Sequence, residues 1–85
     1  MTYLIEVSPE AREQIRALPP ALLKQLADVM AMLELTPWHS APINGDNPDG
    51  AVRQLFFGDS GQALLTFLIL EDQRRVDVLE VMWVE

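Results

Sequence analysis

The sequence contains no cysteine and only one histidine, His39. Without thiols the chain can form neither a disulfide framework nor a reactive thiolate. One histidine without neighbouring ligands or a partner is too little for a zinc site or a histidine general base. No glycine-rich phosphate loop occurs, and GDSG at 58–61 precedes a predicted strand, whereas a nucleophile elbow precedes a helix. We therefore expect no cofactor and no metal.

Positive charge is also scarce. Six Lys and Arg stand against thirteen Asp and Glu, which gives a formal net charge of −7. Because nucleic-acid affinity comes largely from cations that displace counterions from phosphates, this chain should repel a polyanion unless its cations cluster. The cations are Arg12, Arg16, Lys24, Arg53, Arg74 and Arg75.

Long apolar runs and targeting signals are absent as well. No stretch approaches the roughly 20 apolar residues of a membrane span. The N-terminus MTYLIEV has neither the basic segment nor the apolar core of a signal peptide. We expect an acidic, cytoplasmic protein without membrane contact, and its 85 residues predict a single domain over 1–85.

The N-terminal half predicts one strand and a helical hairpin. Alternating apolar residues predict a strand over 2–7. Ser8 and Pro9 are a typical helix start, because serine can cap and proline suits the first helical position. Pro19-Pro20 ends this helix and opens a second one, which Thr36-Pro37 ends.

The C-terminal half predicts a loop and three strands. Turn-forming residues fill 38–50, and the spacing of Asp46, Asn47 and Asp49 does not fit a calcium-binding EF-hand. Strands follow at about 51–57, 62–70 and 75–84, separated by the hairpin turns GDSG and EDQR.

The strand at 62–70 is apolar almost throughout, which is typical of a strand buried on both faces. Two helices can cover only one face of a small sheet. The other face would then be a contiguous apolar patch, and such patches usually mark an interaction site.

Four segments resemble the RelE/ParE toxin superfamily of bacterial toxin–antitoxin systems. They are YLIEVSPEAREQIRALPP, ALLKQLADVMAMLELTP, VRQLFFG and VDVLEVMWV, and together they cover nearly the whole chain. The resemblance implies an α+β fold of two layers, in which a helical hairpin packs on a four-stranded antiparallel sheet of order 1-4-3-2. RelE-type members cut messenger RNA on the ribosome, ParE-type members poison DNA gyrase, and an antitoxin wraps and neutralises both.

The resemblance also implies where catalytic cations should lie, on the open face of the sheet. Arg53 matches one basic position and is the candidate catalytic residue. The other basic positions of the family fall at Leu55, Ala63 and Val84, which carry no charge. We therefore expect messenger-RNA cleavage to be weak or lost, because cations hold the scissile phosphate and stabilise its transition state.

Under this alignment the open face is an apolar interface. Which side chains of the strand at 62–70 lie on the open face depends on a gap that the alignment requires at GDSG. The predicted interface residues are Leu55, Phe57, Leu65, Phe67, Met82 and Val84, with Ala63 on the same face.

Three functional hypotheses remain open. The first is a toxin-family protein partnered by an antitoxin, for which the ribosome or messenger RNA is a target only if activity is retained. The second is a non-catalytic interaction module that forms a homodimer through the open sheet face. The third is a gyrase-targeting toxin, which would not need the RNA-cutting residues.

Overall fold

The computed structural model describes residues 2–42 and 50–84. Asp46, Asn47 and Asp49, whose spacing does not fit an EF-hand, lie outside the described residues. The elements are β1 (Leu4–Val7), α1 (Pro9–Arg16), α2 (Pro20–Leu35), β2 (Ala41–Pro42), β3 (Val52–Phe57), β4 (Ala63–Leu70) and β5 (Arg75–Trp83), with 3₁₀ turns at Pro37–His39 and Glu71–Gln73.

The two helices begin where the sequence predicts. The Ser8 side chain accepts a hydrogen bond from the Ala11 amide at 3.0 Å, and Pro9 occupies the first turn of α1. This bond satisfies one of the amides that a helix N-terminus leaves without a partner. The predicted helical hairpin is confirmed. Within the described residues, no helix is both long and apolar enough to cross a membrane.

The sheet has the order β1-β5-β4-β3-β2. The predicted order of the first strand and the three-strand meander is therefore confirmed, and β4 runs antiparallel to both β3 and β5. Two details differ from the expectation. β1 runs parallel to β5, and the short strand β2 adds an edge beside β3. A parallel pair requires a long connection, which here comprises both helices and the other strands.

The helices cover one face of the sheet, and that face forms the core. Leu55 pairs with Leu65, and Phe57 with Ala63, so these side chains share a face. Leu65 and Phe67 are 0% exposed and belong to the same core cluster as residues of α2. The α2 members of that cluster are Leu22, Leu26 and Leu33.

The open-face position predicted for part of the interface set is therefore wrong. The affected residues are Leu55, Phe57, Ala63, Leu65 and Phe67. Side chains alternate between faces along a strand, so an error of one residue in the alignment moves every one of them to the other face.

A β-bulge in β5 changes the facing of its second half. Thr66 pairs with Glu80 and Phe67 with Val78, which leaves Leu79 without an opposite residue. Beyond the bulge, Val81 turns to the core, and its amide donates to Gln14 Oε1 on α1 at 2.6 Å.

Two residues of the predicted interface set remain accessible. Met82 pairs with Leu64 on the open face and is 52% exposed, and Val84, just after β5, is 68% exposed. Their role in an interface stays a prediction.

Candidate functional site on the open sheet face

The open face carries a row of apolar side chains across three strands. Phe56 pairs with Leu64, which in turn pairs with Met82. Phe56 is 68% exposed, the highest value of the three, while Leu64 is half-buried between its two neighbours. We call Phe56, Leu64 and Met82 the apolar row. It is a contiguous hydrophobic surface on the side of the sheet that the helices leave open.

Acidic side chains lie next to and beyond the apolar row. Glu80 follows it in a row with Gln54 and Thr66. Farther along the strands, Glu6 on β1 pairs with Asp77 on β5. We call Glu6, Asp77 and Glu80 the acidic group.

Among the described residues, Arg75 is the one cation on the open face. Its Nε donates to Asp77 Oδ1 at 2.8 Å, and its second terminal nitrogen donates to Oδ2 at 3.2 Å. These bonds to the carboxylate raise the pKa of Arg75 above its ordinary value. Both carboxylate oxygens of Asp77 therefore engage the guanidinium, and the acidic group outweighs its charge.

Arg53, the candidate catalytic residue, lies on the opposite side of the sheet. It pairs with Phe67 on the core face and is only 5% exposed. Its guanidinium donates to the Ser40 carbonyl at 2.9 Å and lies 4.9 Å from the centroid of the Trp38 ring. The 3₁₀ turn at Pro37–His39 thus covers this side chain.

The other positions matched to family cations do not come together at an exposed site. Leu55 and Ala63 lie on the core face with Arg53, and Ala63 is 1% exposed. Val84 is exposed at the end of the last strand. The structure therefore brings three of the four matched positions to the covered face and one to the surface.

A hydrogen-bond network at one end of the molecule was not predicted. Glu71 Oε1 accepts from the Tyr3 hydroxyl at 2.5 Å and from Trp38 Nε1 at 2.7 Å. Its Oε2 accepts from Arg74 at 2.9 Å. The Arg74 guanidinium also lies 4.1 Å from the centroid of the Tyr3 ring. We call Tyr3, Trp38, Glu71 and Arg74 the Glu71 network.

The network fixes the protonation state of Glu71. Its donors, Tyr3 first and then Trp38 and Arg74, lower the pKa of Glu71 from 4.5 to about 2. The same bond to Glu71 is the main cause that raises the pKa of Tyr3. A carboxylate with so low a pKa is a poor general base near neutral pH. The arrangement therefore ties Tyr3, just before β1, to both 3₁₀ turns and is not suited to proton transfer.

Sequence inspection missed this network because its members are far apart in the chain. Tyr3 and Glu71 are 68 positions apart, and Trp38 and Glu71 are 33 apart. The local signal was the i,i+3 spacing of Glu71 and Arg74, which allows an ion pair across a single turn. Arg74 adopts a left-handed backbone conformation there, with φ of 50°.

The helical hairpin on a mixed sheet of this order is the RelE fold. The chain is similar to a chain of the intact RelBE toxin–antitoxin complex of E. coli, with a TM-score of 0.79, 16% identity and 98% of each chain covered. It is also similar to a chain of the RelBE2 complex of Mycobacterium tuberculosis, with a TM-score of 0.76, 20% identity and 99% and 100% covered.

An archaeal RelE–RelB complex from Pyrococcus horikoshii gives a TM-score of 0.68 at 14% identity, with 98% of this chain and 96% of that chain covered. No family model matches the sequence, and comparison with curated proteins gives no match. The resemblance seen in the sequence is thus confirmed at the level of the fold.

Proposed function

We propose that this chain is a RelE/ParE-like toxin-family protein that pairs with an antitoxin and has weak or lost messenger-RNA cleavage. The fold supports the first part, because the chain matches chains of RelE–RelB complexes over nearly their full length. The proposal puts the protein in the cytoplasm, with no cofactor and no metal.

The second part of the proposal, weak or lost messenger-RNA cleavage, rests on the charge of the open face. RNA cleavage of the RelE type depends on cations that hold the scissile phosphate. Over the described residues, this face presents Arg75 against the acidic group, and Arg75 is already bonded to Asp77 at both oxygens. Loss of one well-placed donor to a transition-state oxyanion typically costs about 10²- to 10³-fold in rate. A face whose described residues offer no cation beyond this engaged arginine, and which carries net negative charge there, should therefore cleave poorly.

The alternative is a non-catalytic interaction module that dimerises through the open sheet face. The apolar row supports it, since Phe56 and Met82 are large and exposed on either side of Leu64. Such a dimer could not use Leu65 or Phe67, which are buried in the core. A third hypothesis, a gyrase-targeting toxin, needs no phosphate site and is favoured by no specific contact among the described residues.

Expression of the protein alone in bacteria tests the proposal. We expect it barely to slow growth, with an active RelE-type toxin expressed at the same level as the reference. Growth arrest with ribosome-dependent cleavage of messages would contradict the proposal. Arrest with intact messages and inhibited DNA supercoiling would favour the gyrase hypothesis.

A further inference from the structure

We infer that the open face binds a basic, amphipathic protein segment. Its apolar side chains would contact the apolar row, and its Lys or Arg side chains would contact the acidic group. The inference rests on the proposed function in that it specifies the chemistry of the partner. It does not depend on whether any RNA cleavage remains.

The apolar row has the size and continuity of an anchor site. Neighbouring strands lie about 4.8 Å apart, so the three side chains form a strip roughly 10 Å wide. Val84 extends this strip, because it lines a shallow pocket together with Phe56, Leu64 and Met82. Exposed fractions of 68% for Phe56 and for Val84 leave most of this apolar surface for a partner to cover.

The acidic group makes the two ends of the open face chemically different. Glu80 lies in the row next to the apolar row, while Asp77 lies five positions before Met82 in the same strand. At about 3.3 Å per residue, this separation is roughly 15 Å. A bound helix would cover that distance in about ten residues. A cavity of about 320 Å³ lies at the acidic end, lined by Glu6, Val7, Ser8, Arg75, Asp77 and Leu79.

Charge favours a basic partner over a second copy of the chain. A two-fold contact between two open faces would bring two acidic groups together, with only Arg75 on each described face to offset them. The chain as a whole has a net charge of −7, which opposes self-association. Like charges facing each other across an interface are costly, whereas opposite charges speed association and select the partner.

Two synthetic peptides test the inference. Each has about 14 residues, enough for roughly four helical turns, with Leu at helical spacing on one side. One peptide carries Lys on its polar side, and the other carries Glu at the same positions. We titrate each into the full chain by calorimetry at low and high salt, and we map the contact by amide NMR shifts.

We expect the Lys peptide to bind at least about tenfold more tightly than the Glu peptide, with an affinity that falls as salt rises. The largest shifts should fall at the apolar row. Equal binding of the two peptides would overturn the inference. So would self-association that covers the face, or preferential binding of an RNA oligomer.

Matched variants locate the contact. Phe56→Gln should weaken binding of the Lys peptide at least about tenfold, whereas Leu35→Gln, a change of an exposed leucine on α2, should not. Leu35 is 64% exposed and Phe56 68%, so neither change should disturb folding. Glu80→Gln should weaken binding and reduce its salt dependence, with Glu34→Gln on α2 as its control. If each variant and its control have the same effect, the open face is not the binding site.

The peptide experiment and the growth experiment can fail separately. A toxic, RNA-cleaving protein would contradict the proposed function and leave the peptide result as it stands. Failure of the Lys peptide to bind would contradict the inference and leave the growth result as it stands.

Discussion

Arg53 is a charged side chain held almost entirely out of water, with only 5% of its surface exposed. A buried charge is tolerated only when it is hydrogen-bonded or paired. Here the Ser40 carbonyl accepts from the guanidinium, and the Trp38 ring lies against it. At the scale of the residue, Arg53 is therefore part of the packing that holds the 3₁₀ turn at Pro37–His39 on the sheet.

We predict that Arg53→Ala destabilises the protein by about 2 kcal/mol. A hydrogen bond to a charged group contributes about 1.5–3 kcal/mol, and a cation–π contact at a partly exposed ring about 0.5–1 kcal/mol. For an exposed arginine the expected loss would be at most about 0.5 kcal/mol, but Arg53 is buried. Urea denaturation measures the change in the free energy of unfolding.

Arg12→Ala is the matched control for this measurement, because Arg12 lies exposed on α1. We expect it to change the free energy of unfolding by less than about 0.5 kcal/mol. Equal effects of the two substitutions would show that Arg53 is not held as described.

Glu71 makes stability depend on pH. Its pKa is about 2 in the folded protein against an ordinary value of 4.5, so folding favours the ionised form. Its contribution should be fully present above about pH 4.5 and be lost as the pH falls through about 2. We predict that the free energy of unfolding of the unmodified protein falls over this window relative to that of Glu71→Gln.

Tyr3→Phe gives the corresponding control, since it keeps the ring and removes the hydroxyl that donates to Glu71. The pKa of Glu71 should rise towards its ordinary value. The stabilising contribution of Glu71 should then be lost at a higher pH than in the unmodified protein. Parallel pH profiles for the unmodified protein and Glu71→Gln would contradict this account.

At the scale of the element, β4 is the strand whose facing was hardest to predict. Its sequence ALLTFLIL is apolar on both faces, so alternation of polar and apolar residues is nearly absent. Thr66 is the exception, and it lies on the open face between Gln54 and Glu80. Because side chains alternate between faces, a polar Thr66 on the open face places its neighbours Leu65 and Phe67 on the core face. The sequence alone would have supported this assignment.

A pair of alanine substitutions on β4 tests the facing. We predict that Leu65→Ala destabilises the protein by about 3 kcal/mol, because it leaves a cavity in the core. Leu64→Ala, one position earlier on the open face, should cost about 1 kcal/mol or less. Thermal and urea denaturation measure both values. The reverse ranking would mean that β4 faces the other way.

The facing of β4 also decides what a Phe67→Glu substitution does. On an open face, a glutamate would have disrupted a dimer. Phe67 is 0% exposed in the core, so we predict that Phe67→Glu prevents folding altogether, because an unpaired charge buried there costs several kcal/mol. A folded Phe67→Glu variant by circular dichroism would contradict the core position.

Local sequence signals predicted the elements well and their long-range details less well. The signals at Ser8-Pro9, Pro19-Pro20 and Thr36-Pro37 act within a few residues, and the helices begin and end where they indicate. The direction of β1 and the bulge at Leu79 depend on contacts between distant segments. No short-range pattern encodes those contacts, and in the Glu71 network only the i,i+3 pair of Glu71 and Arg74 is local.

At the scale of the whole molecule, the fold resembles that of RelE, but the surface charge does not match what that resemblance implies. The RelE-like fold is present over nearly the whole chain. The open face, where the resemblance implies a group of cations, instead carries an apolar row and acidic side chains in its described part. A shared fold therefore does not imply a shared chemistry, because function depends on the side chains of the site.

The most direct test of this account is ribosome-dependent cleavage of a message by the purified protein. The reference is an active RelE-type toxin at the same concentration, and primer extension locates and counts the cuts. We predict a rate at least about a thousandfold below the reference, because the described part of the open face presents only Arg75, already bonded to Asp77, to stabilise the transition state. A rate within about tenfold of the reference would contradict the central claim that the site has weak or lost cleavage activity.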